Sequence, residues 1–265
     1  MTRVAGNRPG RFCWTELAST DIDSAKSFYG DLFQWASTEV PMGEAAQYTM
    51  FNRQGTSVAG GYSLTEEQVT QGVPPFWALH VAVADVDASA AKADSSGGRT
   101  LMGPMDVMDS GRLALIQDPT GANLGLWQAK DRAGAEMLMQ EPGSISWTEL
   151  MTDDIDAAAG FYGKLFGWQK DTQAMPNGDY ITFKIGDEDI AGMMAIPEDM
   201  KGMPPNWMVY FAVTGCDAAC ASAAGSGGTV AVPTTDIPGV GRFAVLQDAQ
   251  GATFSVLEAV EMLVS

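Results

Sequence analysis

The stretch Trp14–Trp35, WTELASTDIDSAKSFYGDLFQW, returns as WTELMTDDIDAAAGFYGKLFGW at Trp147–Trp168. The echo continues along the chain. PPFWALHVAVADVDASAA from Pro74 returns as PPNWMVYFAVTGCDAACA from Pro204, and GRLALIQDPTGANLGLW from Gly111 returns as GRFAVLQDAQGATFSVL from Gly241. The offset is 133 residues at Trp14/Trp147 and 130 at Trp77/Trp207, so the loops between differ by only three residues. A unit of about 120 residues is large enough to be a folded domain and too large for one repeat of a solenoid. The expected domains are residues 8–130 and 140–262, each separately compact, with the polar stretch Ala129–Gly143 as the linker.

Each unit divides again. The pattern predicts a strand at Arg11–Ser19 and then a helix at Asp21–Phe33, where Ala25, Phe28, Tyr29, Leu32 and Phe33 recur at spacings of three and four. Thr20 or Asp21 suits its N-cap. Three short strands follow near Trp35–Val40, Gln47–Arg53 and Ser57–Ser63, separated by Gly, Pro and Asn. The second half repeats the order: a strand at Phe76–Ala84, a helix from Asp85 to Ser95, a Gly97-Gly98 stop and three strands. The last two are joined by the tight turn Asp118-Pro119-Thr120-Gly121. The chain is four βαβββ modules of an α+β class.

This module order, with the D-I-D-x-A-x-x-F-Y-G-x-L-F-x-W run after the first strand and D-P-T-G before the last, resembles the vicinal oxygen chelate superfamily. That superfamily includes glyoxalases, bleomycin-binding proteins and extradiol dioxygenases. The paired Trp-Thr-Glu-Leu motifs look most like its tandem two-domain subgroup. The resemblance implies two glyoxalase-like domains, each a pair of βαβββ modules forming a curved, partly open barrel-like sheet around a cavity. It does not imply one activity, because the fold hosts many chemistries. In metal-dependent relatives the ligands sit on the cavity face of the first and last strands of each module. Carried over one at a time, those positions hold Trp14, Ala78 and Gly125 in the first unit and Trp147, Met208 and Ser255 in the second. None is a good ligand for a divalent metal, and the chain has a single histidine, His80. The expectation is therefore no metal and no cofactor.

Side chains alternate across a strand. If the ligand positions mark the cavity, Trp14 and Glu16 line the first one with His80 and Trp127. Trp147 and Glu149 line the second with Tyr210, Met208 and Ser255. Leu17, Leu150, Trp77 and Trp207 then point toward the helices. A carboxylate beside an indole face suits a cationic or amine-bearing ligand. A second reading stands beside it: the two glutamates are neutralised internally, with Arg112 and Arg242 of the repeated Gly-Arg strands as partners. His80 is read either as a catalyst or as a hydrogen-bonded core residue. No nucleophile triad, phosphate loop or dinucleotide signature appears, and the spacing names no catalytic residue.

Acidic residues outnumber basic ones 33 to 15, a formal charge of −18. Such a chain repels phosphate backbones and anionic lipid, which argues against nucleic acid or membrane surfaces as partners. No apolar run is long enough to span a bilayer. The polar start, Met1 to Arg11, does not read as a secretory signal. Cys13, Cys216 and Cys220 read as small core residues of a protein from the reducing cytoplasm. The sequence thus predicts a small-molecule ligand and a pseudo-symmetric monomer or a homodimer. Two function classes stay open: a metal-free protein that sequesters or senses an aromatic or cationic molecule, and a glyoxalase-like or dioxygenase-like enzyme with an atypical site.

Overall fold

The computed structural model describes residues 3–5, 8–43, 47–130, 136–175 and 178–260. The first half contains β1 (Arg3–Ala5), β2 (Phe12–Ser19), α1 (Ile22–Phe33), β3 (Ala36–Pro41), β4 (Gln47–Arg53), β5 (Thr56–Ser63), α2 (Glu66–Thr70), β6 (Phe76–Ala82), α3 (Val86–Ser95), β7 (Arg99–Val107), β8 (Gly111–Gln117), β9 (Asn123–Ala129) and β10 (Glu136–Leu138). The second contains β11 (Ile145–Thr152), α4 (Ile155–Phe166), β12 (Gln169–Met175), β13 (Gly178–Ile185), β14 (Glu188–Ala195), β15 (Asn206–Ala212), α5 (Cys216–Gly225), β16 (Thr229–Ile237), β17 (Gly241–Gln247) and β18 (Thr253–Ala259). The strands of each half form one open sheet. The C-terminal order is β12-β13-β14-β11-β15-β18-β17-β16, and the N-terminal sheet repeats it as β3-β4-β5-β2-β6-β9-β8-β7. The first strands of the two modules therefore lie side by side at the centre, antiparallel, each flanked on its other side by a parallel strand.

Helices α1 and α3 form where the sequence predicts, with α4 and α5 as their repeats; the short α2 was not predicted. Asp21 and Asp154 cap α1 and α4 by accepting from the amides of Ser24 and Ala157. Each helix ends on a left-handed residue, Gln34 or Gly167. The expected linker is not a free tether. Residues 131–135 lie outside the described residues, but beyond them β10 adds to the N-terminal sheet beside β5, with Met137 and Leu138 buried.

One apolar core runs through both halves, so the expectation of two separately compact domains gives way. The helix-bearing faces of the sheets are turned toward each other, with α1 against α5 and α3 against α4. Phe33 of α1 packs on Phe211 and Phe254, while Phe12 packs on Trp168 and Trp207. Polar groups cross the boundary as well. The Tyr29 hydroxyl accepts from Trp77 Nε1 at 2.9 Å and donates to Asp248 Oδ2 at 3.0 Å. Reciprocally, the Tyr162 hydroxyl accepts from Trp207 Nε1 at 2.8 Å and donates to Asp118 Oδ2 at 2.9 Å. Those aspartates belong to the β8–β9 and β17–β18 turns, and each also ties its own turn through backbone amides.

Removing one of these hydroxyls leaves a buried carboxylate oxygen and an indole N–H short of a partner. Tyr29→Phe is therefore expected to cost about 1–3 kcal/mol. Urea denaturation should still show one transition for both halves. A variant whose second half stays folded after the first has melted would contradict the shared core.

Candidate functional site

The outward face of each sheet, opposite the helices, carries the polar residues. In β2 the even positions Trp14 and Glu16 share that face, while Thr15 and Leu17 are buried in the core. Trp14 Nε1 donates to the Tyr48 hydroxyl at 2.8 Å, and that hydroxyl donates to Glu16 Oε2 at 2.8 Å. The other carboxylate oxygen, Oε1, lies 3.1 Å from Nε2 of His80 on the neighbouring strand β6. Glycines make the room. A Cβ at Gly60 would collide with the Tyr48 hydroxyl, and one at Gly125 would collide with the His80 ring. Tyr62 flanks the same carboxylate, and Trp127 stands on this face with its ring over Gly111. Burial pushes the Glu16 carboxyl up, but the charge of His80 and hydrogen bonds from His80 and Tyr48 outweigh it. The net result is a pKa below the ordinary value.

The C-terminal face repeats the frame with one exchange. Trp147 Nε1 donates to the Tyr180 hydroxyl at 2.9 Å, beside the carboxylate of Glu149. A Cβ at Gly192 would collide with that hydroxyl. Where the first face has His80, this one has Tyr210, whose hydroxyl donates to Glu149 Oε1 at 2.8 Å. Glu149, Met208, Tyr210 and Ser255 are all buried. With tyrosine donors and, among the described residues, no cation paired with it, burial dominates and holds the Glu149 carboxyl above its ordinary value.

The structure separates two residues that the sequence reading joined to these glutamates. The expected Glu16–Arg112 and Glu149–Arg242 pairs do not form. Arg112 binds Asp87 and Asp106, and Arg242 binds Asp217 and Asp236. Alternation explains this: Arg112 shares its face with Ala114 and Ile116, on the helix side of β8. Tyr48 and Tyr180 are the site residues that sequence reading missed. They are 132 residues apart and follow the repeat, but only their contact across strands with Gly60 and Gly192 marks them. Trp77 and Trp207 are buried in the core. So is Cys13, whose thiol is pushed up to about 12 by burial.

The donor set does not fit a divalent metal. Glu16 and His80 supply two ligands on the first face, Gly125 supplies none, and its space is taken by the imidazole. Among the described residues no group of three His, Cys, Asp or Glu side chains converges.

Residues 11–126 and 144–256 match the model of the Glyoxalase/Bleomycin resistance protein/Dioxygenase superfamily. The chain belongs to that superfamily. A relative from Mycobacterium tuberculosis, CFP32, is a provisional glyoxylase by name. It is 42% identical over 260 residues, 97% of this chain and 98% of its own. The anthracycline biosynthesis protein DnrV of Streptomyces peucetius is 36% identical over 270 residues, 97% of this chain and 95% of its own. Among solved structures, the 2,3-dioxygenase LapB of Pseudomonas sp. KL28 superposes with a TM-score of 0.63 at 12% identity, covering 93% of this chain and 91% of that one. The Mn(II)-bound glyoxalase of Novosphingobium aromaticivorans gives 0.62 at 15% identity, covering 95% and 83%. At such identities the two structures share the superfamily fold. No described helix is long and apolar enough to cross a membrane.

The two glutamates should respond to pH with opposite signs. Glu16, held low, contributes stability that is present above the ordinary carboxylate range and lost as pH falls through its lowered value. Glu149, held high, costs stability that sets in as pH rises from that range through its raised value. At neutral pH Glu16→Gln is expected to lower stability by about 1.5–3 kcal/mol, the worth of a hydrogen bond to a charged group, and Glu149→Gln not to lower it. Both differences should shrink below about pH 4. Thermal melts across pH check this, and parallel curves for the two variants would refute it.

Proposed function

We propose that each outward face is a binding site for a small aromatic or cationic molecule, and that binding needs no divalent metal. The observation that carries this reading is the duplicated Trp–Tyr–Glu chain, whose tryptophans stand where metal-dependent relatives carry a ligand. Trp14 and Trp147 offer an aromatic face, and the hydroxyl and carboxylate beside each offer directional polar contacts. Apolar side chains on and around the N-terminal sheet, Met102, Met105 and Met108, stand exposed, as the rim of a site for an apolar ligand would. DnrV is named for anthracycline biosynthesis, and daunorubicin, an anthracycline, joins a fused, partly aromatic ring system to an amino sugar. That combination matches an indole face beside a carboxylate. The three free cysteines suit a protein working in the reducing cytoplasm.

A second reading is an enzyme, favoured by one observation. Glu16 and His80 form a partly buried acid–base pair on the first face, which could move a proton on a bound substrate. A glyoxalase assay on protein of known metal content addresses it.

Two measurements test the binding reading. Titration with daunorubicin, an anthracycline, should saturate while quenching tryptophan fluorescence, and Trp14→Ala or Trp147→Ala should weaken it. Elemental analysis of the purified protein should find far less than one zinc, nickel, iron or manganese per chain. A stoichiometric metal that survives dialysis, with an activity lost to a chelator, would sink the metal-free reading and favour the enzyme.

A further inference from the structure

The internal repeat makes each face a control for the other, and they differ at the charge. On the N-terminal face the carboxylate of Glu16 already has a cation-forming partner, His80, at 3.1 Å. On the C-terminal face the same position holds Tyr210, which can donate a hydrogen bond but carries no positive charge. Glu149 is 7% exposed, and among the described residues no Lys, Arg or His pairs with it. Its neighbours are the hydroxyls of Tyr180 and Tyr210, the indole of Trp147 behind Tyr180, and Met208 at the matching register of β15. Phe243 lies beyond, with its ring centroid 6.5 Å from that of Tyr210.

We infer that the C-terminal face, through Glu149, selects an organic ammonium group carried on an aromatic body, and that the N-terminal face does not. This rests on the reading of the outward faces as ligand sites. A buried carboxylate without a counter-ion is costly, and a ligand cation that reaches it recovers part of that cost. The surrounding tyrosine and tryptophan rings add attraction for a cation that the phenolic hydrogen bonds do not supply. On the other face the His80 ring already sits 3.1 Å from the Glu16 carboxylate, in the place a ligand cation would take, so a cation gains little there. The raised pKa of Glu149 agrees with this: the site lacks positive charge until the ligand brings it. The two faces thus take different molecules.

The test uses two probes that differ only in the polar end, phenethylamine (an ammonium at neutral pH) and 2-phenylethanol. Calorimetric titration of the wild-type chain should show the amine bound about tenfold or more tightly than the alcohol, the factor that one charge-assisted hydrogen bond supplies. Glu149→Gln should bring the two probes together, while Glu16→Gln leaves the preference in place. Tyr210→His copies the N-terminal arrangement without touching the carboxylate, and it should also abolish the preference. Equal binding of the two probes to the wild type would overturn the inference and leave the binding reading standing. So would a preference lost in Glu16→Gln and kept in Glu149→Gln. If neither probe binds, the inference fails, and the daunorubicin titration decides whether the binding reading fails with it.

Discussion

Two buried chains, Trp77–Tyr29–Asp248 and Trp207–Tyr162–Asp118, hold the molecule together in a way that neither half could manage alone. Each joins a helix and a strand of one half to a turn of the other. A phenol, an indole and a carboxylate buried without partners would each be expensive. Their pairing across the boundary therefore fixes how the sheets face each other. The aromatic packing of Phe12, Phe33, Phe211 and Phe254 fills the space that this pairing defines. The same logic recurs at the edges, where Trp35 donates to the Gly143 carbonyl and Trp168 to the Gly10 carbonyl.

With the helix faces turned inward, the polar faces have no choice but to point out. That keeps them out of the core shared by the two halves, and there the two copies have diverged. The frame of Trp, Tyr, Glu and small Gly is kept, while His80 stands against Tyr210, Gly125 against Ser255 and Trp127 against Leu257. One exchange, imidazole for phenol, is enough to pull the neighbouring carboxyl in opposite directions on the two faces.

The repeat made the order of helices and strands along each half legible. Strand alternation correctly set Trp14 and Glu16 apart from Leu17, and put Trp77 in the core. It would also have placed Arg112 beside Ala114 and Ile116, but charge matching between repeat positions obscured that. The tyrosines at positions 48 and 180 carry no chemical signature by themselves. They matter only because Gly60 and Gly192 on the adjacent strand leave room for a ring, a relation across strands that a linear reading does not display. The interlock between halves was hidden for a deeper reason. A repeat aligns like with like, whereas Tyr29 bonds to the turn aspartate of the opposite copy.

Because the shared core lies between the sheets, the two candidate sites stand back to back rather than facing a common cleft. If both faces bind, a short ligand with two binding ends would not span the core to reach both faces of one molecule. It would bridge two molecules instead, and a chain of such bridges would grow by linear polymerisation. The geometry of burial thus decides whether a bivalent compound acts on this protein as a chelator or as a cross-linker, and it favours the cross-linker.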